Sequence, residues 1–255
     1  MSRAKAGRRP RGVAITGGTR GIGRTVAELF LNRGDQVAVC SRSLREKALP
    51  SAIWHTSLDV RGREALQAFA AAVRRRFGSL DVFINCAGVS RWRAVGGIDE
   101  PFLEESIDTN VFGTLWGCAA AAPMLSRGGC IVNVSSLAGK RGSANNSAYC
   151  AAKFAVNGIT QALAKELGPR GIRVNAVCPV YVKTREILAA LAESDSPAQG
   201  QTPGKYLAWF ANTQTALGRL PTTHEVAEVV YFLASPNASA ITGQCVNVDC
   251  GTFPQ

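Results

Sequence analysis

The residues with the clearest chemical potential fall in three groups. Tyr149 and Lys153 stand four positions apart at the opening of a long amphipathic stretch, so a helix there projects both side chains from one face, one turn apart. Two serines, Ser135 and Ser136, follow the apolar run I-V-N-V at 131–134. Earlier, T-G-G-T-R-G-I-G runs from position 16 to 23. A tyrosine beside an ammonium is proton-transfer chemistry. A free phenol titrates near ~10, a neighbouring cation favours the phenolate, and the phenol can then exchange a proton with a substrate oxygen near neutral pH. A serine hydroxyl aimed at the same oxygen would stabilise charge building on it. A Tyr-x-x-x-Lys pair alone arises at roughly even odds in a chain of this length, so its weight comes from position.

The glycine run reads as an anion cradle. Glycine lets the backbone turn tightly and approach a pyrophosphate, and the helix N-terminus that follows supplies free N–H donors and positive dipole. The five fixed positions of T-G-x-x-x-G-I-G recur by chance at roughly 10⁻⁶ per start. This run also lies directly after an apolar strand pattern and directly before a helical one. A site for a dinucleotide with a free ribose 2′-hydroxyl usually offers a carboxylate about 20 residues past the glycines. Here the second strand ends Cys40-Ser41-Arg42, with no acid in reach. A guanidinium there suits a 2′-phosphate through charge-assisted contacts. NADP(H) is therefore the expected cofactor, against the plainer reading of an ordinary surface arginine.

These groups need a scaffold, and the hydropathy pattern supplies one. Apolar strand patterns at 12–16, 36–40, 53–57, 82–85, 131–134, 172–177 and 245–248 alternate with helical spacing, as at 63–77, 99–124 and 148–168. Strands separated by helices imply a parallel sheet covered on both faces. The expectation is one α/β domain over 12–255, doubly wound with a mostly parallel sheet. The polar run E-S-D-S-P-A-Q-G-Q-T-P at 193–203 reads as an insertion over a site, part of a substrate lid at about 181–220.

Bulk composition narrows the function class. With 255 residues, 46% hydrophobic and 18% charged, the chain has the makeup of a globular domain. No apolar run approaches the ~18–20 residues of a membrane span, so no membrane partner is expected. The net charge is +11, and five basic residues lie in the first eleven positions, which read as a basic flexible tail. No nucleic-acid motif accompanies them, and no nucleic-acid partner is expected. The eight cysteines are scattered with no C-x-x-C pair, and no metal is expected. They suit a reducing, cytoplasmic setting in which thiols pack as small hydrophobes.

Taken together, the motifs resemble the short-chain dehydrogenase/reductase family, including 3-ketoacyl-carrier-protein reductases and 3-hydroxybutyrate dehydrogenases. Asn85-Cys86-Ala87-Gly88 matches the family's N-N-A-G element with one change, Asn110 lies in a T-N-V context, and Ser136 precedes Tyr149 by the family's thirteen residues. The resemblance covers nearly the whole chain and implies a Rossmann-like fold and the tetrad Asn110, Ser136, Tyr149 and Lys153. In it Tyr149 is the general acid/base and Ser136 polarises the carbonyl. Lys153 holds the nicotinamide ribose and lowers the phenol pKa, and Asn110 holds a water on the proton path. Ser135 is the competing serine, expected to be structural. The resemblance further implies cofactor contacts from Gly17, Thr19, Arg20, Gly21, Ile22 and Gly23. Others come from Ser41 and Arg42, Asp59 and Val60, then Asn85, Ala87 and Gly88, Tyr149 and Lys153, and finally Pro179, Val182 and Thr184.

The chain departs from the family at two places. Val180 stands where glycine is usual, which puts the path of the 179–184 loop in question, and Cys250 replaces a glycine near the C-terminus. The expected substrate is a small ketone or alcohol, anionic or carrier-bound in one version. Arg91, Arg93, Lys140 and Arg141 would attract an anion, while Arg127 and Arg170 match positions with which carrier-protein reductases dock an acidic carrier. Trp92, Tyr206, Trp209 and Phe210 would line an apolar pocket or belong to the core. The family also implies a homo-oligomer, a tetramer or dimer, packing helices 99–124 and 148–168. The competing classes are a dinucleotide-binding regulator without turnover, which would commonly lack the tyrosine or lysine, and a sugar-nucleotide epimerase or dehydratase, which resembles longer chains.

Overall fold

The computed structural model describes residues 9–43 and 49–254. Seven strands form one parallel sheet: β1 (Gly12–Thr16), β2 (Gln36–Ser41), β3 (Trp54–Ser57), β4 (Leu80–Asn85), β5 (Leu125–Val134), β6 (Arg173–Pro179) and β7 (Cys245–Val248), in spatial order β3-β2-β1-β4-β5-β6-β7. Alternate side chains of the buried strands enter different cores. Val13, Ile15, Val37, Val39 and Ile84 pack against α1 (Gly21–Asn32) and α8 (Thr223–Leu233) through Val26, Phe30, Val226 and Val230. Ala14, Ala38, Phe83 and Ile131 face α2 (Arg63–Phe77), α4 (Gly113–Ala121) and α5 (Ser147–Leu167) through Leu66, Phe69, Ala120 and Leu167. Both faces are apolar, so the central strands read as continuous hydrophobic runs. The order reverses beside β1, which opens a crevice at the strands' carboxyl ends between β1 and β4.

Three features differ from the sequence reading. Residues 99–124 do not form one regular helix. After α3 (Glu100–Ile107) the backbone opens a wide π-helical turn at Asp108–Phe112 before α4 resumes, and Asn110 sits in that turn. Strand β5 starts at Leu125, paired with Leu80, before the apolar run begins. Arg9 and Arg11, counted in the basic tail, are held against the fold. Arg9 Nη2 lies 2.7 Å from Asp81. Arg11 Nη2 lies 2.7 Å from the buried carboxylate of Asp35, and its Nη1 donates to the Ala234 carbonyl at 2.6 Å. The rest of the tail, residues 1–8, lies outside the described residues.

The lid region holds α6 (Arg185–Leu191) and α7 (Pro203–Gln214). Beneath them a small apolar cluster joins Trp92, Ala190, Leu191, Ala198, Tyr206, Leu207 and Phe210. The polar run between the helices is tied down: Glu193 pairs with Arg91 at 3.0 Å, Asp195 accepts from the Ala94 N–H at 3.0 Å, and Ser196 Oγ donates to the Leu191 carbonyl at 2.7 Å. Among the described residues no helix is long and apolar enough to cross a membrane, and no cluster of His, Cys, Asp or Glu could hold a metal ion.

Candidate active site

A cavity of about 930 Å³ runs along the carboxyl ends of the strands from Arg42 past the glycine loop to Tyr149 and on beneath the lid. The loop is built for close approach. Gly17 has φ +68°, and a Cβ there would fall 2.8 Å from the Ala87 Cα. The loop is pinned by the Gly17 N–H, which donates to the Cys40 carbonyl at 2.8 Å. Thr16 Oγ1 accepts from the N–H groups of Cys86 and Ala87, each at 3.1 Å, which locks the end of β1 to the end of β4. Helix α1 starts at Gly21 with no side chain capping it and no acid in its first turn. Its free N–H groups and positive dipole end therefore face the cavity without a competing anion in that turn.

The cavity wall gathers every expected cofactor contact except one. From the loop come Gly17, Thr19, Arg20, Gly21, Ile22 and Gly23; from the strand ends Ser41, Arg42, Asp59, Val60, Ala87 and Gly88; and from the lid entrance Pro179, Val182 and Thr184, with Tyr149 and Lys153 at the centre. Asn85 is the exception. Its side chain is buried and donates to Asn133 Oδ1 at 2.9 Å, and Asn133 in turn donates to Thr160 Oγ1 at 2.9 Å. This polar ladder ties β4 and β5 to α5. The motif identified the residue but not the direction of its side chain.

The fit to an elongated dinucleotide is physical. A glycine cradle lies against a helix N-terminus, and Arg42, a cation with no ion-pair partner among the described residues, stands at the far strand end. Asp59 makes its ion pair with Arg61 at 2.7 Å and acts on Arg42 only at longer range. Arg20 is engaged differently: its Nε lies 3.1 Å from Glu186 of α6, across the mouth of the cradle. Val180 has no positive φ, so valine is accommodated there without strain, and Thr184 accepts from the Ile187 N–H at 3.3 Å as the cap of α6. Cys250 does take the glycine conformation, at φ +53°.

The four polar residues of the expected tetrad all line the cavity. Lys153 is 4% exposed, its Nζ donating to the Val134 carbonyl at 3.0 Å and lying 5.6 Å from the centre of the Tyr149 ring. Burial pulls its pKa down to about 8. Burial also pushes the Tyr149 phenol up to about 12, with hydrogen bonds from Ser136 and Ser90 drawing it partly back. From sequence, Lys153 is expected to favour phenolate; here burial is the largest influence on the phenol, and it favours the protonated form. No motif singles out Ser90, whose influence on the Tyr149 phenol has no signal in the sequence.

Both serines line the cavity: Ser136 Oγ accepts from the Ala138 N–H at 3.1 Å, while the buried Ser135 donates to the Lys153 backbone carbonyl at 3.3 Å. Asn110 is fully buried and its amide is committed. Oδ1 accepts from the Val89 N–H at 3.3 Å, and Nδ2 donates to the carbonyls of Val89 and Ser106, each at 2.9 Å. Asn110 thus clamps the loop that carries Ser90. Gly88 is required here, since a Cβ would fall 2.8 Å from Asn110 Oδ1.

Under the lid, Trp92, Tyr181 and Phe210 line the far end of the cavity. Tyr206 is buried in the cluster behind them, and Trp209 is half exposed. Arg170 is used within the fold, donating to the carbonyls of Ala122 at 2.8 Å and Leu125 at 3.3 Å.

Comparison with known proteins places the chain among nicotinamide-dependent enzymes. A family model described as enoyl-(acyl carrier protein) reductase matches residues 17–252. The chain is similar to a 3-oxoacyl-(acyl-carrier-protein) reductase of Chlamydia muridarum, 33% identical over 93% of this chain and 95% of that protein. It is also similar to an (S)-acetoin-forming diacetyl reductase of Staphylococcus aureus, 36% identical over 93% and 95%. Among solved structures, a single-residue variant of the actinorhodin polyketide ketoreductase with NADPH superposes with a TM-score of 0.84 at 32% identity, covering 95% of this chain and 97% of that one.

Proposed function

The chain belongs to the short-chain dehydrogenase/reductase family, and we propose that it is an NADP(H)-dependent ketoreductase with Tyr149 as its general acid/base. It is an oxidoreductase acting on CH–OH/C=O groups. The finer assignment rests on one observation: Tyr149 and Ser136 share the cavity wall, with the buried Lys153 ammonium 5.6 Å from the centre of the Tyr149 ring. We take residues 12–255 as one catalytic domain and 181–220 as its lid.

The bound nicotinamide would donate or accept the hydride. Gly17 to Gly23 and the α1 N-terminus would hold its pyrophosphate, Arg42 and Arg20 its 2′-phosphate, and Lys153 its ribose. The remaining steps belong to the protein. Ser136 donates a hydrogen bond to the substrate carbonyl oxygen and stabilises the negative charge that builds there. Tyr149, protonated at neutral pH, gives that oxygen its proton; in the reverse direction the phenolate takes it back. Lys153, cationic below about pH 8, stabilises the phenolate left after transfer. Asn110 holds the Val89–Ser90 backbone and so fixes the second hydroxyl beside Tyr149.

Tyr149→Phe removes one hydroxyl. Turnover on carbonyl substrates should fall by at least ~10²-fold, while cofactor fluorescence titration shows binding retained. Wild-type turnover in that variant would refute the assignment. Ser136→Ala should lower kcat, and Ser135→Ala should do less. Cofactor choice is tested separately by titrating NADPH and NADH against the wild type and an Arg20→Ala, Arg42→Ala double variant. Each charge-assisted bond to phosphate contributes about 1.5–3 kcal/mol, so the double variant should lose most of its preference for NADPH. Equal wild-type affinities for the two cofactors would remove the case for a 2′-phosphate site.

A further inference from the structure

We propose that the substrate carries an anionic group, a carboxylate or a phosphate, and that Arg141 binds it at the lid end of the cavity. The proposal rests on the carbonyl-reduction reading of this cavity and names its substrate class.

Several cations on the wall or beside it are already neutralised. Arg20 has Glu186 at 3.1 Å and is in any case assigned to the cofactor rather than to the substrate. Arg91 has Glu193 at 3.0 Å and Glu105 at 3.8 Å, and Arg93 has Asp99 at 3.8 Å. Three lining cations have no acid within ion-pair distance among the described residues: Arg42, Lys153 and Arg141. The first two have counterparts in the proposed reaction, the 2′-phosphate and the phenol with the ribose. Arg141 has none. Of the four basic residues that the sequence offered for an anion, two are paired off, and Lys140 is not on the cavity wall.

Position and surroundings define what Arg141 would take. It lies five residues after Ser136 on the loop that leads to α5. Its guanidinium lies over the Phe253 ring at 5.7 Å, and the residue lines the cavity. Its charge acts on the hydroxyls of Tyr181 and Tyr206, which lie 3.4 Å apart, and Tyr181 is also within electrostatic reach of Tyr149. Tyr181, Tyr149 and Arg141 line the same cavity. Burial keeps the Tyr181 phenol protonated, a hydrogen-bond donor toward an anion. Trp92, Ala190 and Phe210, also on the wall, belong to the apolar cluster under the lid. The substrate that fits presents a carbonyl to Tyr149 and an anionic oxygen group to Arg141, and the two test pairs place that anion at a short and at a long separation from the carbonyl.

The test uses the NADPH-loaded enzyme and two matched pairs: 4-oxopentanoate with its methyl ester, and a ketoacyl thioester of 4′-phosphopantetheine with that of pantetheine. Wild-type enzyme should favour the charged member of one pair by roughly tenfold or more in kcat/KM, mostly through KM. Preference within the first pair identifies a carboxylate on the substrate, and preference within the second a carrier-arm phosphate. Arg141→Ala should bring that ratio near one, and Arg141→Lys should keep part of it. Tryptophan-fluorescence titration of the same loaded proteins reads the discrimination without turnover. Tighter binding of the charged member that is lost in Arg141→Ala supports the subsite even if neither compound is reduced, and the failed reduction then counts against the reaction assignment alone. The proposal is overturned if wild type treats charged and neutral members alike in both pairs, or if Arg141→Ala keeps the discrimination.

Discussion

A single cause moves the two titrating side chains of the site in opposite directions. Burial disfavours charge, so it raises Tyr149 to about 12 and lowers Lys153 to about 8. At neutral pH the phenol is protonated and the lysine cationic, the pair of states that carbonyl reduction needs. As pH rises through about 8 in the free enzyme, Lys153 loses its proton and with it the charge that stabilises the departing phenolate. The kcat/KM for reduction should therefore be level near neutrality and fall above pH 8, approaching roughly tenfold per pH unit for one essential proton. Lys153→Arg gives a sharper test, because a guanidinium stays charged to about pH 12 and should carry the fall well above 8, whatever rate it leaves. A wild-type profile level to pH 10 would show that Lys153 does not titrate in that range. Asn110 shows where motif reading stops at this scale. Its spacing located it, but its commitment to Val89 and Ser106 comes from a π-helical turn with no signature in the sequence.

Among the elements, the link between the glycine loop and α6 through Arg20 and Glu186 yields a further prediction. Both side chains are more than a third exposed, so the pair adds little stability. Glu186 nevertheless puts a negative charge beside the arginine assigned to a phosphate. Glu186→Gln should tighten NADPH by up to ~5-fold at low salt, change NADH less, and leave the melting temperature near that of wild type. Weaker NADPH binding would mean that Glu186 helps to hold Arg20 in its binding position. This contact spans more than 160 residues, and the same distinction decides what was legible in the chain. Strands β1 and β7 and helix α2 have the bounds their hydropathy predicts, because local pattern and burial agree there. The early start of β5 through Ser126-Arg127-Gly128-Gly129 carries no apolar signal and is set by pairing with β4. The lid run at 193–203 reads as a plain polar insertion, yet Arg91, Ala94 and Asn145 hold it through bonds to Glu193 and Asp195. Local pattern reported the sheet and the glycine loop; contacts between distant segments set the lid and the reach of the arginines.

For the whole molecule, the surface of α3, α4 and α5 is more apolar than an isolated chain needs. Leu103 and Phe112 are each 43% exposed and Phe154 is 49% exposed, with Phe112 stacked on Trp116 at 6.2 Å between ring centres. Arg63 lies over the outer Trp116 ring at 5.2 Å, so the patch is rimmed by charge, as association surfaces are. Helices that place such side chains on one side of a domain can cover them with a second copy about a two-fold axis. The expected outcome is a particle of two or four 26.9 kDa chains by light scattering at micromolar concentration. Phe154→Glu discriminates this association from non-specific stickiness. In a two-fold interface each residue near the axis approaches its own counterpart, so one substitution sets two like charges against each other and buries both at a cost. That variant should run as a monomer with its circular dichroism unchanged, while Phe232→Glu, on α8 at the opposite face of the sheet, should leave the assembly intact. A monomeric wild type would remove the proposed interface, and an oligomer that survives Phe154→Glu but not Phe232→Glu would move it to the other face.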